Sequence, residues 1–292
     1  DVPIPASTGY NYERTNVGEM TNKGVEFLLG GIPVQTSKFK WDISLNMSTN
    51  KNKLVKLIEG VDNFIFTTTN SGVAEVWATV GGGYGDIYAT TYERDENGRI
   101  VVTDAGLFRA APEKKLVGNY QPDWVGGLTN TLTYGNFSLR FLIDARIGGE
   151  VYSGTDAGLD AFGVSERSLE YREGGVVIDG VRTDGTANTV NISSQQYWGS
   201  YSGIGENYIF DQTNIRMREA AFFYDLPARF TEKSFIKGLT VGVTGRNLFF
   251  LYRALENFDP EGSFSVSNFA QGVLFYTMPT TRSLGFNLNV KF

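Results

Sequence analysis

The sequence has no cysteine and no histidine. Without cysteine, no disulfide can staple the fold and no thiolate can bind metal or act as a nucleophile. Without histidine, Ser-His-Asp catalysis, the usual zinc sites and the commonest neutral-pH proton shuttle are excluded from this chain. Lys and Arg form no block, and the net charge of -6 argues against a nucleic-acid partner. No apolar run approaches the roughly 18 residues of a transmembrane helix. A chain of this kind can sit in a membrane only as a closed barrel, because helices and closed barrels alone satisfy every backbone hydrogen bond there. The first residue is Asp1, with neither a basic nor an apolar leader region after it, so no secretory signal is expected within these residues.

Proline is also scarce, with 8 residues, whereas glycine reaches 35 and aromatics 14%. Transmembrane barrels have this profile: aromatic girdles at both interfaces, glycine in turns and bulges, and a polar lumen that lowers mean hydropathy. A secreted β-sandwich or soluble barrel shares it. Patterning separates the two. Leu284, Phe286, Leu288, Val290 and Phe292 alternate with Ser283, Gly285, Asn287, Asn289 and Lys291. Period two with one apolar and one polar face is a strand between two environments. Phe39, Trp41, Ile43, Leu45 and Met47 repeat the code, as do Phe137, Leu139, Phe141, Ile143, Ala145 and Ile147, and Leu239, Val241 and Val243. The polar rows carry Lys40, Asp42, Arg140, Asp144, Arg146 and Arg246 in mid-strand, which suits a wet lumen better than the outside of a sandwich.

The spacing predicts strands over 22–31, 39–50, 124–134, 136–150, 210–226, 237–250 and 283–292, with residues 8–21 extending the first upward. Alternating their direction puts every short connection at one end and the long stretches 50–124, 152–209 and 250–282 at the other. Outer-membrane barrels separate short periplasmic turns from long extracellular loops in this way. The apolar phase slips by one around Arg216 to Tyr224, which predicts a bulge. Residues 84–92 and 99–104 read as short strands, either a hairpin above the membrane or an extra barrel pair. The predicted class is therefore all-β: an antiparallel transmembrane β-barrel in the bacterial outer membrane.

Several ordered motifs now carry a resemblance. Asn22-Lys23-Gly24-Val25-Glu26-Phe27, Trp41 and Asn46 to Leu54, then Gly118-Asn119-Tyr120-Gln121-Pro122 and Gly126-Gly127-Leu128, follow one another. Arg216-Met217-Arg218-Glu219, Tyr224-Asp225-Leu226-Pro227, Gly245-Arg246-Asn247-Leu248 and Asp259-Pro260-Glu261 come next. Together they resemble the SusC/RagA family of TonB-dependent transporters. The resemblance implies the C-terminal part of a barrel of about 22 strands, with the plug domain and the N-terminal strands outside these residues. It implies TonB-dependent import of a glycan, oligosaccharide or peptide, with a SusD-like surface lipoprotein as lid, TonB acting through the N-terminal region, and lipid around the barrel. A passive porin-like or structural barrel is the alternative, and an enzyme is not expected.

Loop residues Tyr152, Tyr171, Tyr197, Trp198, Tyr201 and Tyr208 are the expected ligand contacts, since flat apolar rings flanked by polar groups suit sugars and peptide side chains. The same rings would equally well pack the loop against its neighbours. Phe292, the terminal aromatic, is expected to serve as the barrel-assembly signal and as a girdle residue. Acidic residues such as Asp156, Asp160, Glu206 and Asp184 in the same loop leave room for Ca2+, although no spacing matches an EF-hand and no metal ligand is assigned. Gly81-Gly82-Gly83-Tyr84-Gly85 lacks the Lys-Ser/Thr of a phosphate loop and reads as a turn. Asp259-Pro260-Glu261 reads as turn and loop-packing residues rather than a glycosidic acid pair.

Overall fold

A computed structural model of the chain describes residues 2, 3, 7, 9, 12, 13, 18–69, 71–230, 232, 235–262 and 271–292. Half of the expected upward extension over 8–21 lies outside the described residues; the first long strand starts at Gly18.

Seven strands make the main sheet: β1 (Gly18–Gln35), β2 (Phe39–Leu57), β3 (Trp124–Tyr134), β4 (Phe137–Ile147), β5 (Asn214–Asp225), β6 (Gly238–Arg253) and β7 (Ser283–Lys291). Each pairs antiparallel with its neighbours in sequence, so the sheet is a meander. All seven expected strands are present. The first two run well past the expected ends, and their hairpin rises above the rest. Among the described residues the sheet does not close on itself.

Register explains the alternation. Trp41, Leu132, Leu139, Phe222, Val243 and Phe286 are linked across β2 to β7, strand to strand, as one apolar row. The next step along each strand gives Asp42, Thr131, Arg140, Ala221, Thr244 and Gly285, a largely polar row on the opposite face. The expected bulge lies at Arg218, which neither neighbour pairs: Met217 faces Ile143 and Phe249, and Glu219 faces Leu142 and Arg246. Asn130 puts a polar side chain on the apolar face of β3. Its Oδ1 accepts the Trp41 indole N–H at 3.0 Å, which satisfies both groups.

The short connections 36–38, 135–136 and 226–237 leave one end of the sheet. The long ones, 58–123, 148–213 and 254–282, leave the other and fold together. Residues Asn63–Thr68, Ala74–Thr79, Tyr84–Ala89 and Lys115–Asn119 form a separate four-stranded sheet. The expected strand over 84–92 thus belongs to a sheet apart from the wall, and Val101–Val102 pairs in parallel with Val181–Arg182 of the second loop. Helix α1 (Gly154–Ala161) is capped by Ser153, and α2 (Ser194–Tyr201) by a Ser193–Gln196 capping box. Val76 and Ile87 from the first loop, Tyr152 and Tyr208 from the second and Val273 from the third share one buried core.

Candidate ligand-facing wall and loop aromatics

The polar face of the wall holds a charged network that begins at the bulge. Arg218 is the extra residue of the bulge, Arg216 lies two residues before it, and both reach Glu261. Arg218 donates to Asp144 Oδ2 on β4 at 2.6 Å and also binds Glu261. Arg216 binds Asp259 at 2.8 Å and Glu261 at 2.9 Å, with its own side chain 3% exposed. Its guanidinium lies 3.9 Å from the centre of the Phe250 ring. Thr280 completes the shell of Asp259 with its backbone N–H at 3.1 Å and its hydroxyl. Burial alone would raise the Asp259 carboxyl, but the hydrogen bonds from Thr280 and Arg216 outweigh it and hold the group below its ordinary range. A buried charge survives only when paired and hydrogen-bonded, and this one is. Asp259-Pro260-Glu261 is therefore a loop-packing turn, as expected, and it also pins the third long loop to the wall. The sequence carried a signal for this that single-segment reading passes over: two arginines one residue apart, and two carboxylates one residue apart farther along the chain.

The six loop aromatics chosen from sequence meet in one chain of ring contacts. Tyr171 lies 4.8 Å from Tyr197, which stacks on Tyr201 at 5.7 Å and meets Trp198 edge-on. Tyr201 touches Tyr208, and Tyr208 touches Tyr152. Tyr152, Trp198 and Tyr208 are buried, whereas Tyr171, Tyr197 and Tyr201 keep part of their surface open. Buried Asp160 organises the inner end of the chain. It accepts from the Tyr208 hydroxyl at 2.7 Å, from Ser165 at 2.6 Å and from Arg167 Nε at 3.0 Å. The Arg167 guanidinium in turn lies over the rings of Trp198, Tyr201 and Tyr208, 5.4 to 5.7 Å from their centres. Burial first, then the neighbouring Asp160, pushes the Tyr208 hydroxyl far above its usual range, so it stays protonated as a donor. Burial likewise raises Tyr197 to about 12.

The loop carboxylates are spread out. Asp184 closes a turn onto Thr186, Glu206 accepts the Tyr92 backbone N–H at 2.8 Å, and Asp156 faces Asn257. Among the described residues no three carboxylates converge on a common point. Phe292 is largely exposed beside β7 and stacks on Phe235 at 5.6 Å. No helix among the described residues is long and apolar enough to cross a membrane.

No protein-family model matches the chain. Two curated TonB-dependent receptors of Formosa agariphila do: P3 is 26% identical over 99% of the chain, and P26 is 28% identical over all of it. SusC of Bacteroides thetaiotaomicron, also a TonB-dependent receptor, is 28% identical over 52% of the chain. The chain spans 30% and 31% of the lengths of P3 and P26. Among solved structures, the RagAB peptide importer in its closed-closed state aligns with all of this chain and 32% of its own, with a TM-score of 0.66 and 18% identity. That likeness is one of fold. These relatives are receptors and transporters, not enzymes. Along its length the chain is similar in sequence to TonB-dependent receptors, SusC among them, and its antiparallel strands have the fold of an outer-membrane β-barrel wall.

Proposed function

We propose that this chain is the C-terminal part of a transporter that imports a nutrient, a glycan, oligosaccharide or peptide, across the outer membrane. The rest of the polypeptide supplies the remaining strands and the plug, TonB supplies energy through that region, and a SusD-like lipoprotein covers the loops. The observation that carries this reading is the seven-stranded meander with an apolar outer face, a charged inner face and three long loops fused above one end. An open sheet leaves unpaired edges that lipid does not tolerate, so β1 and β7 need partner strands from the rest of the molecule. In this reading the open faces of Tyr171, Tyr197 and Tyr201 meet ligand, while Tyr152, Trp198 and Tyr208 hold those faces in place.

Uptake of labelled nutrient by cells carrying the full-length gene tests the proposal. Deletion of TonB is expected to abolish uptake, and deletion of a neighbouring lipoprotein gene to reduce it. Uptake undiminished without TonB would instead identify a passive porin-like barrel.

A further inference from the structure

One cleft on the wall is basic in an otherwise acidic protein. It has a volume of about 530 Å³ and lies between the upper part of β6, residues 257–259 of the third loop and the segment that descends into β7. Three guanidinium groups line it, Arg216, Arg253 and Arg282, against one carboxylate, Asp259. The chain as a whole carries -6. Arg216 is already satisfied by Asp259, Glu261 and Thr280. Arg253 and Arg282 are not: both are exposed, and neither forms an ion pair or hydrogen bond among the described residues. Among the described residues Arg253 meets the Phe250 ring, 5.5 Å from its centre, the same ring that carries Arg216. That stacking keeps its guanidinium fork at the cleft instead of free in solvent. The Thr277 hydroxyl in the lining has no hydrogen-bond partner among the described residues, and Asn257 makes only a 3.5 Å contact to Asp156.

We propose that this cleft binds a carboxylate carried by the ligand, with Arg253 and Arg282 as the recognising forks and Thr277 and Asn257 as neutral donors. Planar guanidinium groups match carboxylate oxygens in paired, charge-assisted hydrogen bonds. The neighbouring Phe250 and Phe258 give the ligand body an apolar floor. Two nutrient classes bring such a group: oligosaccharides containing uronic acid, and peptides with a free C-terminus. The inference rests on the import reading for its choice of ligands, but it concerns binding and not transport.

The test uses the full-length receptor in detergent, without TonB, so that a failure here leaves the uptake experiment unaffected. Calorimetry would compare an oligogalacturonate with a neutral oligosaccharide of equal length, and a peptide with its C-terminal amide. One charged probe is expected to bind at least tenfold more tightly than its neutral partner, and to weaken with added salt. Arg253→Gln combined with Arg282→Gln is expected to remove that preference and leave the neutral probe within twofold. Arg253→Lys should retain part of it, because charge survives while the fork is lost. Which charged probe binds identifies the source of the carboxylate. Equal binding of charged and neutral probes, no binding of either charged probe, or a double variant that binds like the parent overturns the proposal. Unchanged heat-modifiability of the variant barrel on gels excludes misfolding as the cause.

Discussion

Phe286 on the wall is 94% exposed and Leu284 is 80% exposed, while Val76, Ile87 and Tyr208 in the loop module are fully buried. One chain thus places its apolar side chains by two different rules. In the wall the apolar row faces outward and the strands hold together mainly by ladder hydrogen bonds, with side chains meeting only across neighbouring strands. In the loop module apolar residues from three separate segments converge on a common core, as in any water-soluble domain. The wall depends on surroundings that supply lipid on one side and further strands at its edges. The module depends on itself, and its segments are separated along the sequence by the wall strands. The two regions join at the buried Arg216–Asp259 pair, as well as where Arg146 donates to the Tyr120 carbonyl and Asn52 accepts from the Tyr84 N–H, and the buried pair is the first place to break the comparison.

Arg216→Met should have the largest effect. It strands Asp259 in a site that is 6% exposed, and removal of one partner of a buried pair costs about 3–5 kcal/mol. Limited proteolysis of the full-length receptor should then cut within 254–262, while the barrel keeps its heat-modifiable migration. Loss of the barrel itself would mean that the network supports the wall and not only the loop.

Next in size is a test of facing. Phe286→Arg puts a cation on the outer row, where about 2–4 kcal/mol is expected at the bilayer midplane. Asn287→Arg, one residue along, points to the polar face and should cost little. Urea unfolding of the barrel refolded into vesicles reads both. Equal costs would show that the two faces are not lipid and lumen.

The module has its own weak point at Tyr120, a buried ring held between Gly85 of the first loop and Gly272 of the third. Both glycines have positive φ, and a Cβ at either would run into that ring. Gly85→Ala should therefore loosen the module by about 1–3 kcal/mol, by overpacking and backbone strain. Hydrogen exchange should quicken in 84–89 and 115–120 and stay unchanged in β6 and β7.

The difference between the two regions also decides what can be read from sequence. Wall strands have period two because each residue sees either lipid or lumen, and that information is local. Leu284 to Phe292 shows it within nine residues, and β2, β4 and β6 repeat it. The slip at Arg218 is legible for the same reason: a bulge shifts the phase of its own strand. Module contacts are not local. Nothing near Tyr152 marks Val273 as its parallel partner, and nothing near Val101 marks Val181. The aromatics of 152–208 are visible as a group, but whether a given ring is buried like Tyr208 or open like Tyr171 depends on segments far along the chain. Arg216, Arg218, Asp259 and Glu261 fall between these cases: their charges are visible, and their pairing follows only once the third loop folds back over the wall.

The smallest effect separates charge from shape at the same junction. Asp259 titrates below its ordinary value of 3.8 when folded, so the unfolded loop binds its proton first as pH falls. The anchoring contribution is fully present above about 3.8 and is lost as pH drops through the depressed folded value. Cleavage within 254–262 by an acid-active protease should accordingly rise on acidification below that point in the parent receptor. In Asp259→Asn the side chain keeps its size but cannot ionise, so the pH dependence should flatten and cleavage should be elevated at every pH. If the parent and the variant instead share one acid transition, the carboxylate that governs the junction is not Asp259. Glu261, which bridges Arg216 and Arg218, is then the next residue to replace.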